Sequence, residues 1–298
     1  MVRAPTLRRR HAASTERGFS LVELVVVIVI TGVIASVVGL FITGPIQGFL
    51  DQARRAELVD SAQQAMTRMG RDLRGALPNS VRINPGRNAL EILVTLDGDR
   101  YRVETPGAAA DRLDFTAADS SFNTFAPLSR PPVLPAIGTP YRVTGAIAIY
   151  PLRQEGARPY QDAVMTASGA IDITPVTNNG QTEYQVSLTS APGAPGAHRF
   201  PFDSPTRRVF LVEGPVTYLC NPPQLLRYAG YGVTAAHNVP PAGVGTVVVA
   251  NVQSCAFEYD PGTAERNAVV SLVLALADPD VPDERIRLIR QIHVDNTP

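Results

Sequence analysis

The residues best placed to do chemistry stand at the amino end, at a sharp border. Upstream of it, Arg3, Arg8, Arg9, Arg10 and Arg17 are set against one acid, Glu16. Downstream, no charged residue occurs from Leu24 to Leu50. A basic segment followed by a long apolar run is a targeting and membrane signal. Two residues exceed that minimum. Gly18 lies at the border itself, and Glu23 is a lone carboxylate at the head of the apolar run. A carboxylate in hydrocarbon costs a few kcal/mol and needs a partner. An ordinary signal anchor accounts for neither residue.

Elsewhere the candidates for chemistry are weak. All 27 Lys-or-Arg residues are Arg, so lysine Schiff bases, a lysine general base and a P-loop lysine are excluded. His11, His198, His237 and His293 are isolated, and no pair has metal-ligand spacing. Ser, His and Asp are all present, but no Gly-x-Ser-x-Gly segment marks a nucleophile. Asp278, Asp280 and Asp283, with Glu284, form an oxygen-rich stretch and a weak calcium candidate. Pro279, Pro282 and the lack of EF-hand spacing favour a solvated hairpin loop there. No cofactor and no resident metal is expected, and the chain reads as no enzyme. Formal charge is zero; without residues 1–18 the balance becomes 22 arginines against 26 acids. That gives no basic footprint for nucleic acid. Cys220 and Cys255 both follow the apolar run, so export would allow a disulfide between them.

The border residues need an element to hold them. Residues 19–44 are apolar on every face, as a membrane helix is. The β-branched run from Val25 to Ile30 also suits a buried strand, but its continuation favours helix. Gly44 and Pro45 predict a kink or a locally melted turn, because proline lacks a donor and clashes one turn back. Residues 45–77 then become amphipathic. Val59, Ala62, Met66, Met69, Leu73 and Ala76 recur at spacings of 3 and 4, with arginines on other faces. Pro78 stops the helix after Leu77. Residues 78–298 read as β-rich. Asp97-Gly98 and Asn178-Asn179-Gly180 are hairpin signals. Residues 105–140 and 190–207 read mostly as loop. Beyond residue 209 the strands become dense, and Cys255, Phe257 and Tyr259 alternate onto one face, as do Val270, Leu272, Leu274 and Leu276. One apolar face at period 2 predicts an antiparallel sheet covered on one side, by the helix stripe. The predicted fold class is α+β.

With those residues in view, the segment 17–30 resembles the signal of type IV pilins and type II secretion pseudopilins. The long helix followed by a β-domain is also pilin-like. The resemblance implies that residues 1–18 are a leader, that a prepilin peptidase cuts between Gly18 and Phe19, and that Phe19 is then N-methylated. It implies that Glu23 is the charge that docks a subunit into a filament. It also implies a single-pass inner-membrane protein with a periplasmic β-domain, able to enter a pilus at the cell surface. Its partners would be other minor and major pilins and the inner-membrane assembly platform. The tip-capping pseudopilin typically lacks this glutamate, and the β-domain is large for a major pilin. The C-terminal run Arg285–Pro298 resembles that of MshO-like minor pilins of MSHA-pilus biogenesis, as does Val216-Thr217-Tyr218 followed by Leu225-Leu226-Arg227-Tyr228. The latter pattern is shared with J-type secretion pseudopilins. An adhesive subunit at the pilus tip is a further reading, with the loops 105–140, 190–207 and 229–246 as its recognition surface. Gly18→Ala is expected to block maturation, checked by the size of the product on a denaturing gel. Product of normal mature size would place the cut elsewhere.

Overall fold

The computed structural model describes residues 18–104, 112–156, 158–262, 267–281 and 283–297. The leader up to residue 17, with His11, lies outside the described residues. The fold is α+β: a long N-terminal helix followed by antiparallel sheets. The chain divides into two compact units, one up to Arg54 and one from Arg55 onward.

Helix α1 (Leu21–Arg74) begins in the first unit. Ser20 caps it: its hydroxyl oxygen accepts the N–H of Glu23 at 3.2 Å, and its carbonyl accepts that of Leu24. Ser-x-x-Glu is a helix-start pattern, because a free hydroxyl satisfies a donor that has no carbonyl one turn back. From Leu21 to Gly39, 19 residues are long and apolar enough to cross a membrane. At about 1.5 Å per residue they span about 28 Å. Ser36 turns its hydroxyl back onto the Gly32 carbonyl at 2.6 Å, which leaves no unsatisfied polar group on that turn. The backbone stays helical through Gly44 and Pro45.

In the second unit the same helix is amphipathic. Leu58, Ala62, Ala65, Met66, Met69 and Leu73 are buried. Leu58 leads the stripe in place of Val59, which is only half-buried. Gly70 belongs to it as well. A Cβ there would stand 3.3 Å from Ile292 Cδ1, a tight contact from which the isoleucine tip would have to shift. The helix stops at Arg74 rather than at Leu77, before Pro78 can act. Leu77 N–H donates to the Leu93 carbonyl at 2.7 Å and Thr95 N–H to that of Gly75 at 2.8 Å. A strand captures the chain as it leaves the helix.

Twelve strands follow: β1 (Arg82–Ile83), β2 (Ala89–Arg100), β3 (Ser121–Thr124), β4 (Tyr141–Ile149), β5 (Gly169–Asn178), β6 (Gln181–Ser187), β7 (Arg208–Asn221), β8 (Gln224–Ala229), β9 (Thr246–Val249), β10 (Val252–Asp260), β11 (Ala268–Ala277) and β12 (Arg285–Val294). The large sheet has the order β1-β2-β7-β4-β5-β6-β3, with β8 on β7 and β9 on β8. The small sheet has the order β10-β11-β12. All pairings are antiparallel. Asn179 and Gly180 have φ of 49° and 75°, the primed turn that joins β5 to β6.

Two expectations are corrected. Asp97-Gly98 is not a hairpin turn. β2 runs straight through it and pairs with β7 along its length, with register shifts between Val94 and Asp97. The Asp97 carboxylate accepts the N–H of Gly98 and that of Ser129, each at 2.8 Å, so a local turn signal serves a bulge and a distant loop. Residues 112–140 are mostly loop, as expected, but β3 lies within them and Leu113 and Leu128 are buried. One helix does not cover one sheet. The stripe forms a core with Ile92, Tyr218, Phe257, Leu272 and Ile292, drawn from both sheets. A second core, with no helix in it, holds Tyr101, Phe122, Ile147, Ile173, Val186, Phe200 and Leu211. The main path of the large sheet has seven strands side by side, about 30 Å at about 4.8 Å per strand, beyond what one helix covers.

Burial of a Leu or Met side chain contributes about 1.5–3 kcal/mol. Leu73, fully buried against both sheets' side chains, is the test. Leu73→Ala is expected to lower unfolding free energy by about 2–5 kcal/mol, measured by urea denaturation in detergent.

Candidate functional site

The border residues are accessible. Gly18, Phe19 and Ser20 precede the first helical turn, and Phe19 is 78% exposed. The Gly18–Phe19 peptide therefore stands outside the helical hydrogen-bond ladder, in a form a peptidase can take. A Cβ on Gly18 would meet no atom within 4 Å among the described residues. Packing among the described residues therefore does not demand glycine there. Glu23 is exposed in the first turn. A negative charge there is favoured by the helix dipole. The sequence reading gave Glu23 one role. Its spacing from Ser20 gives it a second, in starting the helix, and that signal was present in the Ser-x-x-Glu pattern.

Further along, Cys220 on β7 and Cys255 on β10 are disulfide-bonded, with Cα atoms 5.8 Å apart. The bond ties the large sheet to the small one. Closing a 35-residue separation contributes about 3–4 kcal/mol on the chain-entropy view.

Two of the residues noted in 216–228 have a structural duty. Tyr218 and Arg227 face each other across β7 and β8. Both bond Asp72 Oδ2 on the helix, the phenol at 2.8 Å and the guanidinium Nε at 2.9 Å. Burial, then the bond to Asp72, pushes the Tyr218 phenol well above its usual range. This triad fixes the rotation of the helix on the sheet, which apolar contact alone leaves loose.

The sequence reading missed a buried charge cluster. Glu91 on β2 has a side chain only 2% exposed, and it accepts from Arg82 Nη2 at 2.7 Å. Thr217 donates to its other oxygen at 3.3 Å, and His237 Nε2 lies 3.6 Å from that oxygen. Arg82 also donates to the carbonyls of Thr234, Ala235 and Ala236, at 3.0, 2.8 and 3.2 Å, and stacks on Tyr160. The segment between β8 and β9 is thus held down by one guanidinium. Burial raises the Glu91 carboxyl above its ordinary range, against the pull of Arg82. Burial, then Arg82, pushes His237 down to about 4. The available signal was Glu91 itself, a charge inside the apolar run from Ala89 to Val94.

The acidic stretch does not converge as a calcium site. Asp278 turns its carboxylate onto the N–H groups of Asp280 and Val281, at 2.8 and 3.1 Å, and Glu284 pairs with Arg55 at 2.6 Å. Among the described residues no group of three or more His, Cys, Asp or Glu side chains is placed to hold a metal. His198 meets the Ala163 carbonyl at 2.8 Å.

A family model, the prokaryotic N-terminal methylation motif, matches residues 13–39. The match takes in Gly18, Glu23 and the membrane-length part of α1. The chain therefore carries a type IV pilin-like prepilin signal on an apolar helix suited to an inner-membrane anchor. No curated protein and no solved structure gave a match.

The cluster around Glu91 gives a pH test. His237 is neutral in the fold, because burial pushes its pKa down to about 4 from the ordinary 6.5. Between those values the unfolded chain binds more protons, so stability is intact above pH 6.5 and falls as pH drops towards 4. At 1.36 kcal/mol per unit the loss approaches about 3 kcal/mol. Glu91, with a raised pKa, acts with the opposite sign. His237→Gln is expected to flatten the His237 part of that loss, seen as the difference between the two pH–stability curves.

Proposed function

We propose that this chain is a non-catalytic minor pilin, of the MshO-like kind, that helps a type IV pilus of the MSHA type to initiate or assemble. The observation that carries the reading is the prepilin signal over 13–39 joined to a large β-domain. On this reading prepilin peptidase removes residues 1–18 and Phe19 becomes the methylated amino terminus. Residues 19–44 are first a lipid anchor and then part of a filament core. From residue 45 the helix continues into the globular domain, ending at Arg74, and residues 78–298 are the periplasmic β-domain. Gly44 and Pro45 are the point at which the helix bends most easily, because Pro45 brings no N–H to the ladder. Other pilins and the inner-membrane assembly platform are the partners.

Glu23 supplies the docking force. Cutting after Gly18 creates an α-amine on Phe19 with an ordinary pKa near 8. A carboxylate about 4 Å from that amine on a neighbouring subunit gains roughly 4 kcal/mol at an effective dielectric of about 20, before desolvation. Because a lone carboxylate is costly in lipid, the pairing draws the incoming helix beside one already in place.

The runner-up reading is a J-type type II secretion pseudopilin, which would use the same cut and the same charge. An adhesive tip subunit is a third. It loses some of its footing in that Leu113, Leu128 and Phe200 are buried and 234–236 are bonded to Arg82. Glu23→Ala is expected to leave the monomer in the membrane and to cut its share in sheared filaments by at least tenfold. Undiminished incorporation would remove Glu23 from the docking role. A deletion strain separates the readings: loss of filaments marks assembly, loss of secretion marks the pseudopilin, and filaments that no longer adhere mark the tip subunit.

A further inference from the structure

The small sheet ends on an open edge. β12 is bonded to β11 on one side and is the last strand of its sheet on the other. At the opposite edge, β10 is partly closed by Arg87, whose carbonyl accepts the Phe257 N–H at 2.9 Å. β12 is 10 residues long, about 33 Å of extended backbone. Its inner face is anchored: Ile292 and Val294 are buried, and Arg290 reaches Thr67 on the helix at 3.3 Å. Its outer face carries Arg285, Arg287, Ile289, Gln291 and His293, all exposed, with Ile289 at 63%. A long, regular, exposed edge is a template for strand addition, and proteins commonly blunt such edges.

Charge decides what the template accepts. β12 holds three arginines and no acid. Their cross-strand neighbours on β11 are Ala277, Ala275 and Leu272. None of Arg285, Arg287 and Arg290 has an ion-pair partner among the described residues. Two β12 strands laid edge to edge would bring both sets of arginines together without an acid between them, which disfavours a second copy. An incoming strand with acids at alternate positions relieves the same charges and pairs the free backbone. We propose that β12 is a docking edge for an extended acidic strand of another protein, which adds to the small sheet beside Arg285 and Arg287 and sets an apolar side chain against Ile289. This reading does not depend on entry into a filament.

The test uses the full chain in detergent micelles and a fluorescent ten-residue peptide of alternating Glu and Val. Binding is read by anisotropy, and its location by amide hydrogen exchange. Saturable binding is expected, with new protection confined to 285–294 and affinity that falls as salt is raised. The double variant Arg285→Glu, Arg287→Glu should bind at least tenfold more weakly at an unchanged melting temperature. The salt dependence of the unaltered chain gives the same information without any variant. No saturable binding, equal affinity for an alternating Lys and Val peptide, or protection outside β12 would overturn the proposal. So would self-association through this edge, seen by light scattering and abolished by Ile289→Lys.

Discussion

The larger apolar core depends on the burial of one helical stripe. Leu58, Ala62, Ala65, Met66, Met69 and Leu73 are its helical side, and its other walls come from β2, β7, β8, β9, β10, β11 and β12. Those strands are distant in the chain, and the small sheet shares no ladder with the large one. The helix is what both sheets pack on. Apolar burial is not directional, so it fixes that they meet without fixing how. The direction comes from polar contacts at the rim. Asp72 accepts from Tyr218 and Arg227 together, Gly70 lets Ile292 come close, and the Cys220–Cys255 bond joins the two sheets directly.

The amino-terminal border follows different physics. Gly18 has room for a side chain and Glu23 is exposed, so neither residue is explained by packing within this chain. On the proposed reading both are features read from outside: the glycine by a peptidase, the glutamate by a neighbouring subunit. The helix start at Ser20 connects them. It leaves Gly18 and Phe19 outside the helix while holding Glu23 in the first turn.

How much was legible in the sequence turns on whether the deciding partner was near or far. Asn179-Gly180 was read correctly because a two-residue turn with both φ positive is decided by those two residues. Asp97-Gly98 carries much the same signal and was misread. Its outcome depends on β7, more than a hundred residues away, which pairs through it and makes a bulge of it. The stripe was legible to within one residue, because helical period alone selects a face. The end of the helix was not, since Leu93 reaches the Leu77 N–H first. Glu91 could have been flagged as a charge in an apolar run, but its partners Arg82, Thr217 and His237 come from three separate places in the chain.

The sequence by itself determined the basic-to-apolar border with its lone Glu23, the membrane-length helix and the amphipathic stripe. Each is set by residue type and spacing within a few turns, where no distant partner competes. Only the tertiary structure decided that the β-domain has two sheets and a second large core away from the helix, that 112–140 and 190–207 contribute buried side chains, and that β12 is left as an edge among the described residues. Those outcomes depend on how far one helix can reach across the large sheet, and on which strands find each other after it is covered.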